Sequence, residues 1–329
     1  MGQRVAALAI ACALTAGARM AHADPSSVTP QQGYDLGEVQ GARSLAMAGA
    51  QNATGMSTTA LFLNPANLPY TRVYHFEALA SFSPEARRTN FGGAIADSST
   101  SRLAGALGGV WSQMDGDGAR RQWTDLRAAL AYALGDQISI GITGRFLRAS
   151  QGVSNGAFGD SPVSDGTRGD PVVNHFTFDA GVTIAPVNGL FFGVVGHNLT
   201  NPGHSLVPTT LAGGVGYTRE LFTVEANAMA DFTTWKGTRG RFMLGGEFML
   251  LQHIPLRAGY RYDAGQQTHA VSAGLGYVDK KWSVELSGRR DVSAEHPMTL
   301  FSIALRYFHD PKAFEGSKDD DNTGSDSQQ

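Results

Sequence analysis

Residue types that support hydrolysis occur together at two places in the chain. Gly159-Asp160-Ser161 and His204-Ser205 supply a hydroxyl nucleophile and possible bases. Both runs fall between the regularly patterned segments of the sequence, and their spacing places no third group beside either pair. Chance occurrence explains them better than catalysis. We therefore expect a protein that is not an enzyme, and a lipid hydrolase is the least favoured alternative.

Metal-binding and nucleic-acid-binding patterns are also weak. Asp115-Gly116-Asp117-Gly118 resembles part of a calcium loop, but the remaining ligand spacing is missing. The nine histidines show no i, i+4 pairing, so we expect no metal and no cofactor. The 26 Lys and Arg residues against 29 Asp and Glu residues give a net charge of −3. A nucleic-acid partner would require a basic surface, so we expect none.

A third group of reactive side chains is charged and lies within segments that alternate between polar and apolar residues. A period of two is the side-chain period of a β-strand, so these charges share a face opposite the apolar residues. The arginines among them could meet a ligand carboxylate, but pairing with the glutamates across the wall is the favoured interpretation. The charges predicted to line a wet interior are Arg127, Arg145, Glu225, Glu247, Arg257, Glu285 and Arg306.

The alternation predicts fourteen strands of about ten residues, the length that a tilted strand needs to cross a bilayer. Links after strands 4, 6, 8, 10 and 12 are short and those after strands 3, 5, 7, 9, 11 and 13 are longer, as in outer-membrane barrels, whereas the link after strand 2 is not especially short. We predict an all-β fold: a 14-stranded antiparallel transmembrane β-barrel over residues 73–309, with both mature termini periplasmic. The predicted strands are 74–83, 89–97, 103–112, 123–134, 138–149, 174–185, 190–199, 208–218, 222–232, 240–251, 254–263, 268–278, 282–292 and 299–308.

The two ends of the chain differ from the barrel. Residues 1–23 combine Arg4, an apolar run and Ala21-His22-Ala23, which is typical of a cleaved secretory signal. A membrane anchor is less favoured because the run of about 14 residues is short of the roughly 20 required. A lipoprotein acylated at Cys12 is also less favoured, since few residues precede it. Residues 310–329 are predicted to form a disordered acidic tail, because residues 315–329 are acidic and lack large apolar residues.

Residues 24–72 are predicted to form a plug, or hatch, inside the barrel, because residues 31–72 do not alternate and those directly before strand 1 are small and apolar. Asn64-Pro65-Ala66 forms a turn, because Pro fixes its own φ and disfavours the helical region for the residue before it. Ala, Leu and Met on either side favour short helices. Asn67 completes the candidate hatch motif.

The sequence GARSLAMAGA at 41–50, TTALFLNPANL at 58–68 and Gly196-His197-Asn198-Leu199 resemble the FadL/TodX-type hydrophobic-compound transporters and their PorV-like relatives. The resemblance implies an outer-membrane barrel with an N-terminal hatch. It departs from the family pattern at Ala46 and Ala48, where we expect Gly, and at Asn67, where Gly usually follows Asn-Pro-Ala.

The resemblance also implies a function: uptake of fatty-acid-like hydrophobic small molecules, with a side exit into the membrane at strand 3. The candidates for this opening are Gly105, Gly108 and Gly109, although relief of crowding is the favoured explanation for such glycines. The charged lumen favours a smaller or more polar substrate than a long acyl chain. The expected partners are outer-membrane lipid, a hydrophobic small molecule and the barrel-assembly machinery.

A PorV-like role as a partner or scaffold for an exported protein is the alternative function. The loop at 150–173 and the acidic tail would then supply the binding surfaces.

Overall fold

The computed structural model describes residues 41–114, 121–150, 171–201, 207–235, 237–293 and 297–309. Three short helices, α1 (Ala42–Ala46), α2 (Thr58–Phe62) and the 3-10 helix η1 (Pro65–Tyr70), precede the strands. None of the helices in these ranges is long and apolar enough to cross a membrane. The strands are β1 (Tyr74–Ser83), β2 (Arg88–Asp97), β3 (Leu103–Met114), β4 (Arg121–Ala133), β5 (Ile138–Ser150), β6 (Pro171–Val187), β7 (Leu190–His197), β8 (Thr210–Thr218), β9 (Phe222–Asp231), β10 (Arg239–Leu250), β11 (Ile254–Asp263), β12 (Thr268–Val278), β13 (Trp282–Asp291) and β14 (Thr299–His309).

The strands form one closed antiparallel barrel in which each strand pairs with its neighbours in sequence. Pairing of β1 with β14, from Tyr74 opposite His309 to Phe82 opposite Phe301, closes the barrel. The predicted fold class is therefore confirmed, and every predicted strand is present within three residues of its predicted bounds. The link after β11, residues 264–267, is nearly as short as the turns at the opposite end.

Large apolar side chains cover the outside of the barrel. Leu107, near the middle of β3, is 59% exposed, and Phe176 on β6 is 67% exposed. Aromatic residues are concentrated at the two ends of the outer face, as register pairs such as Phe82–Phe301 and Trp282–Tyr307 show. The aromatic residues at the loop end are Phe82, Phe91, Trp111, Phe146, Phe176, Phe242, Tyr260 and Phe301, and those at the turn end are Phe76, Tyr132, Phe192, Phe222, Phe248, Tyr277, Trp282 and Tyr307.

Residues 41–72, called the plug below, fill the inside of the barrel. Most of their side chains are buried, and they contact inward-facing residues on opposite walls. Inward-facing glycines on eight strands allow this close packing, because a Cβ at each would lie 2.8 Å or less from a plug atom. These glycines are Gly108, Gly141, Gly181, Gly193, Gly216, Gly245, Gly259 and Gly274. At Gly141, Gly193, Gly245 and Gly259 the nearest plug atom belongs to the backbone, so there the backbone of the plug rests directly on the backbone of the wall.

Candidate functional site

An alternating chain of three arginines and three glutamates holds the α1 end of the plug. Arg43 of α1 donates to Glu247 on β10 through Nε (3.1 Å) and Nη2 (3.0 Å). The chain then continues around the wall to β1, and each link is a nitrogen–oxygen contact of 3.3 Å or less. Each buried charge thereby has a hydrogen-bonded counter-charge, which offsets its desolvation. The members in order are Arg43, Glu247, Arg257, Glu285, Arg306 and Glu77.

A second ion-pair network lies on the wall formed by β4 to β7. Asp125 accepts from Arg127 (3.1 Å) and Arg145 (2.7 Å), and Asp179 lies 3.1 Å from His197 Nδ1. Arg127 also donates to the plug, through an Nη1–Phe62 O hydrogen bond of 2.9 Å.

The prediction that Arg127 and Arg145 pair with glutamates was wrong. Both arginines pair with Asp125, because Asp125 and Arg127 share the inward face of β4 and β5 is the adjacent strand. Arg257 and Arg306 do pair with the expected glutamates.

Glu225 on β9 is buried and binds the plug backbone instead of an arginine. Its carboxylate accepts from the backbone N–H groups of Ala53 (2.7 Å) and Thr54 (2.8 Å), and from the Thr54 hydroxyl. Among the residues that the structure describes, no ion pair to Glu225 is found. The sequence pattern placed Glu225 correctly on the inward face but did not predict these partners.

The candidate hatch residues form a compact turn that is fastened to β5 and β6. The Asn64 side chain accepts from Ala66 N (3.1 Å) and donates to Thr183 on β6 (3.1 Å). Asn67 accepts from Thr183 (2.6 Å) and donates to Asn52 O (3.0 Å). These bonds explain why Asn can replace the expected Gly at position 67, since its side chain is used. Pro65 begins η1, where its missing N–H costs nothing.

Tyr70 fastens the end of η1. Its hydroxyl donates to the carbonyls of Gln137 and Thr183, at 3.2 Å each. Burial raises the pKa of the Tyr70 phenol, so the hydroxyl keeps its proton at neutral pH and remains a donor.

The wall that faces α2 is apolar, in contrast to the rest of the lumen. Leu61 of α2 packs toward β3, where a Cβ at Gly108 would lie 2.8 Å from Leu61 Cδ2. Within the described residues, no side chain on the inward face of β3 is charged, and no hydrogen bond joins α2 to β2 or β3. We call this contact the apolar seam; it comprises Ala60, Leu61, Phe62 and Leu68 of the plug and Leu79, Ala94, Ala96, Ala104, Ala106, Val110, Ala129 and Ala131 of the wall.

The predicted side-opening glycines do not lie on one face of β3. Gly108 faces the plug, whereas Gly105 and Gly109 face outward, beside Leu130 and Leu126 respectively. The ladders from β3 to β2 and to β4 run without a register shift. Strand 3 is thus unbroken in this conformation, and a side exit there stays a prediction.

Other candidates fall wholly or largely outside the described residues: the signal 1–23, Asp115-Gly116-Asp117-Gly118, most of the loop 150–173, Gly159-Asp160-Ser161, His204-Ser205 and the tail 310–329. Within the described ranges, no group of three or more His, Cys, Asp or Glu residues is arranged to hold a metal ion.

Comparison with known proteins shows the fold. No protein-family model and no curated protein sequence matches the chain. The CymD monoaromatic hydrocarbon channel superposes with a TM-score of 0.60 at 14% identity, over 82% of this chain and 96% of that one. The Ralstonia pickettii toluene transporter TbuX gives 0.59 at 13% identity, over 83% and 99%. A Pseudomonas aeruginosa FadL homologue gives 0.57 at 13% identity, over 82% and 98%. The resemblance to FadL/TodX-type proteins is therefore confirmed at the level of the fold.

Proposed function

We propose that this chain is an outer-membrane channel for hydrophobic small molecules, in which the plug acts as a hatch. A barrel whose outer face is apolar between two aromatic belts matches the surface that lipid solvates. The inward-facing charges form buried ion pairs, so the polar face of the barrel wall points inward, opposite the apolar outer face. This arrangement supports insertion into a bilayer rather than exposure of the barrel wall to water.

The solved structures with this fold point to the same class of function. CymD is a channel for monoaromatic hydrocarbons, and TbuX is a toluene transporter. We extend transport of apolar molecules, without catalysis, from those proteins to this chain.

The apolar seam is the observation that carries the proposal. A molecule that enters between α2 and β2 or β3 breaks no hydrogen bond between these surfaces, because apolar packing alone joins them; the hydrogen bonds of α2 go to β1 and β4. On the other walls, separation would leave amides such as Asn64 buried without partners, at a cost of about 2–7 kcal/mol each, and a carboxylate such as Glu225 at a higher cost. An uncharged apolar ligand therefore passes most easily along β2 and β3.

The seam also favours a compact ligand. Its wall side consists mainly of Ala, and the larger Leu61 and Phe62 come from the plug. Displacement of these two side chains would expose a smooth apolar surface next to Gly105, Gly108 and Gly109, where we place the side exit. The charged side chains of the lumen hold the plug to the wall or pair with one another within the wall. We do not propose that they bind the carboxylate of a ligand.

Replacement of Gly108 by Val tests this function. Its added methyl groups would collide with Leu61 and Ala94 and close the seam. Gly246→Val is the matched control, because Gly246 faces outward on β10 with its nearest neighbouring atom 3.9 Å from a Cβ. We expect Gly108→Val to lower the uptake of radiolabelled toluene or oleate by expressing cells about ten-fold, and Gly246→Val to leave it unchanged. Equal uptake by cells with and without the protein would refute the proposal.

A further inference from the structure

Ser57, the residue directly before α2, has a backbone conformation that disfavours any side chain. Its φ of 57° and ψ of −134° lie in a region used almost only by glycine. The residue is 7% exposed, so the surrounding structure holds it there. A serine at this position stores backbone strain in the closed plug.

One side-chain contact opposes this strain. Ser57 Oγ hydrogen-bonds to Nδ1 of His75, an inward-facing residue of β1 that is 3% exposed. His75 Nε2 is also buried, and no residue in the part of the chain that the structure describes hydrogen-bonds to it. Whichever ring nitrogen carries the proton, the closed state leaves one polar atom of His75 unsatisfied, which is a second local cost.

Both ends of α2 are tied to the wall while its middle is not. At the start, the Thr58 hydroxyl donates to Glu77 on β1, next to the Ser57–His75 contact. At the other end, Phe62 O accepts from Arg127 on β4. Between these ties, Leu61 meets β2 and β3 through the apolar seam alone. The segment 57–62 is thus held at its ends and free of polar attachments in between.

We propose that residues 57–62 form a gate that the Ser57–His75 hydrogen bond keeps closed against the strain at Ser57. When this bond breaks, Ser57 relaxes to an ordinary backbone conformation, and α2 moves away from β2 and β3 as the Thr58–Glu77 and Phe62–Arg127 hydrogen bonds give way. The role of this movement in admitting a ligand rests on the proposed function, but the movement itself does not. The halves of the plug fastened by Arg43 and by Asn64 stay in place.

The gate is tested by the rate at which N-ethylmaleimide alkylates a cysteine at position 61. The parent protein carries Cys12→Ser and Leu61→Cys, and a matched parent carries Leu45→Cys in α1, where the side chain is equally buried. Ser57→Ala removes the hydrogen bond but keeps the strain. We expect it to speed the alkylation of Leu61→Cys at least about five-fold and to leave Leu45→Cys unchanged.

Three further variants separate the strain from the bond. Ser57→Gly removes both the backbone strain and the hydrogen bond to His75. The rate at which the cysteine of Leu61→Cys is alkylated should therefore stay within about two-fold of the parent rate. His75→Asn keeps an acceptor near the Nδ1 position and should also stay within about two-fold. His75→Leu breaks the same bond from the wall side and should match Ser57→Ala, which provides a second route if Ser57→Ala folds poorly.

An unchanged rate in both Ser57→Ala and His75→Leu would overturn the gate. So would equal acceleration at positions 45 and 61, or a Ser57→Gly rate as high as that of Ser57→Ala. Because alkylation reports movement and uptake reports transport, acceleration without any toluene or oleate uptake would refute the proposed function and leave the gate intact.

Discussion

Gly245 of β10 lies directly against the carbonyl oxygen of Met47 in the plug: a Cβ at this glycine would be 2.8 Å from that oxygen. Its neighbour Gly246 faces the opposite side of the same strand, and a Cβ at Gly246 would be no closer than 3.9 Å to any neighbouring atom. The pair shows that the wall is shaped on its inner side for the plug backbone, and it supplies a matched experiment.

Gly245→Ala should destabilise the protein by about 1–3 kcal/mol, because the added methyl group forces the plug away from β10. Gly246→Ala should change stability by less than about 0.5 kcal/mol. Urea unfolding of both variants in detergent measures the difference. Equal stabilities would contradict the direct contact between plug and wall.

Glu225→Gln should loosen the middle of the plug. The neutral amide presents a single acceptor oxygen, whereas the carboxylate accepts from Ala53, from Thr54 N–H and from the Thr54 hydroxyl. We expect a loss of about 1–3 kcal/mol and a higher ionic conductance in planar bilayers. Glu220→Gln, in an exposed turn, is the control. Parental conductance in Glu225→Gln would show that Glu225 does not hold the plug.

Asp125→Asn should lower the free energy of unfolding by about 3–5 kcal/mol, because Arg127 and Arg145 stay buried and lose the carboxylate with which both pair. Arg290→Ala should cost less than about 1 kcal/mol, since the Arg290–Glu85 pair is solvent-exposed on its arginine side. Unfolding of the two variants under identical conditions provides the comparison. A similar cost for both would mean that the inner network contributes no more than a surface pair.

Leu107→Arg tests the placement of the outer face in lipid. Leu107 lies near the middle of β3 and points outward, so an arginine there should cost about 2–4 kcal/mol in a bilayer. Ser99→Arg, in the turn between β2 and β3, should cost less than about 1 kcal/mol. Folding into lipid vesicles from urea measures both values. Unimpaired folding of Leu107→Arg would contradict a lipid-facing wall.

The strands could be predicted from sequence because one face meets an apolar environment and the other a polar one, which imposes a period of two. Residues 282–287 and 301–307 show this alternation most clearly. The fastening role of Asn64 and Asn67 could not be predicted, because it depends on which strand lies opposite them in the closed barrel. Alternation placed Glu225 inward for the same reason, but only the fold brings residues 53 and 54 to it.

The apolar seam was missed because β2 and β3 are rich in Ala and Gly, whose small side chains give weak alternation. A charged lumen was expected throughout, whereas the structure confines the charges near the plug to other walls. The signal that would have revealed the seam is the absence of charge at every second position from Ala104 to Met114. The backbone strain at Ser57 leaves no signal in the sequence, since serine is common in ordinary turns.

Anomalous diffraction from crystals soaked with iodobenzene tests the central claim most directly, because iodine marks where an apolar ligand enters. We predict an iodine peak inside the barrel between Leu61 and the β3 wall at Ala106. Iodine found only on the outer face, or against the ion-paired wall beside Glu247, would contradict passage along the apolar seam.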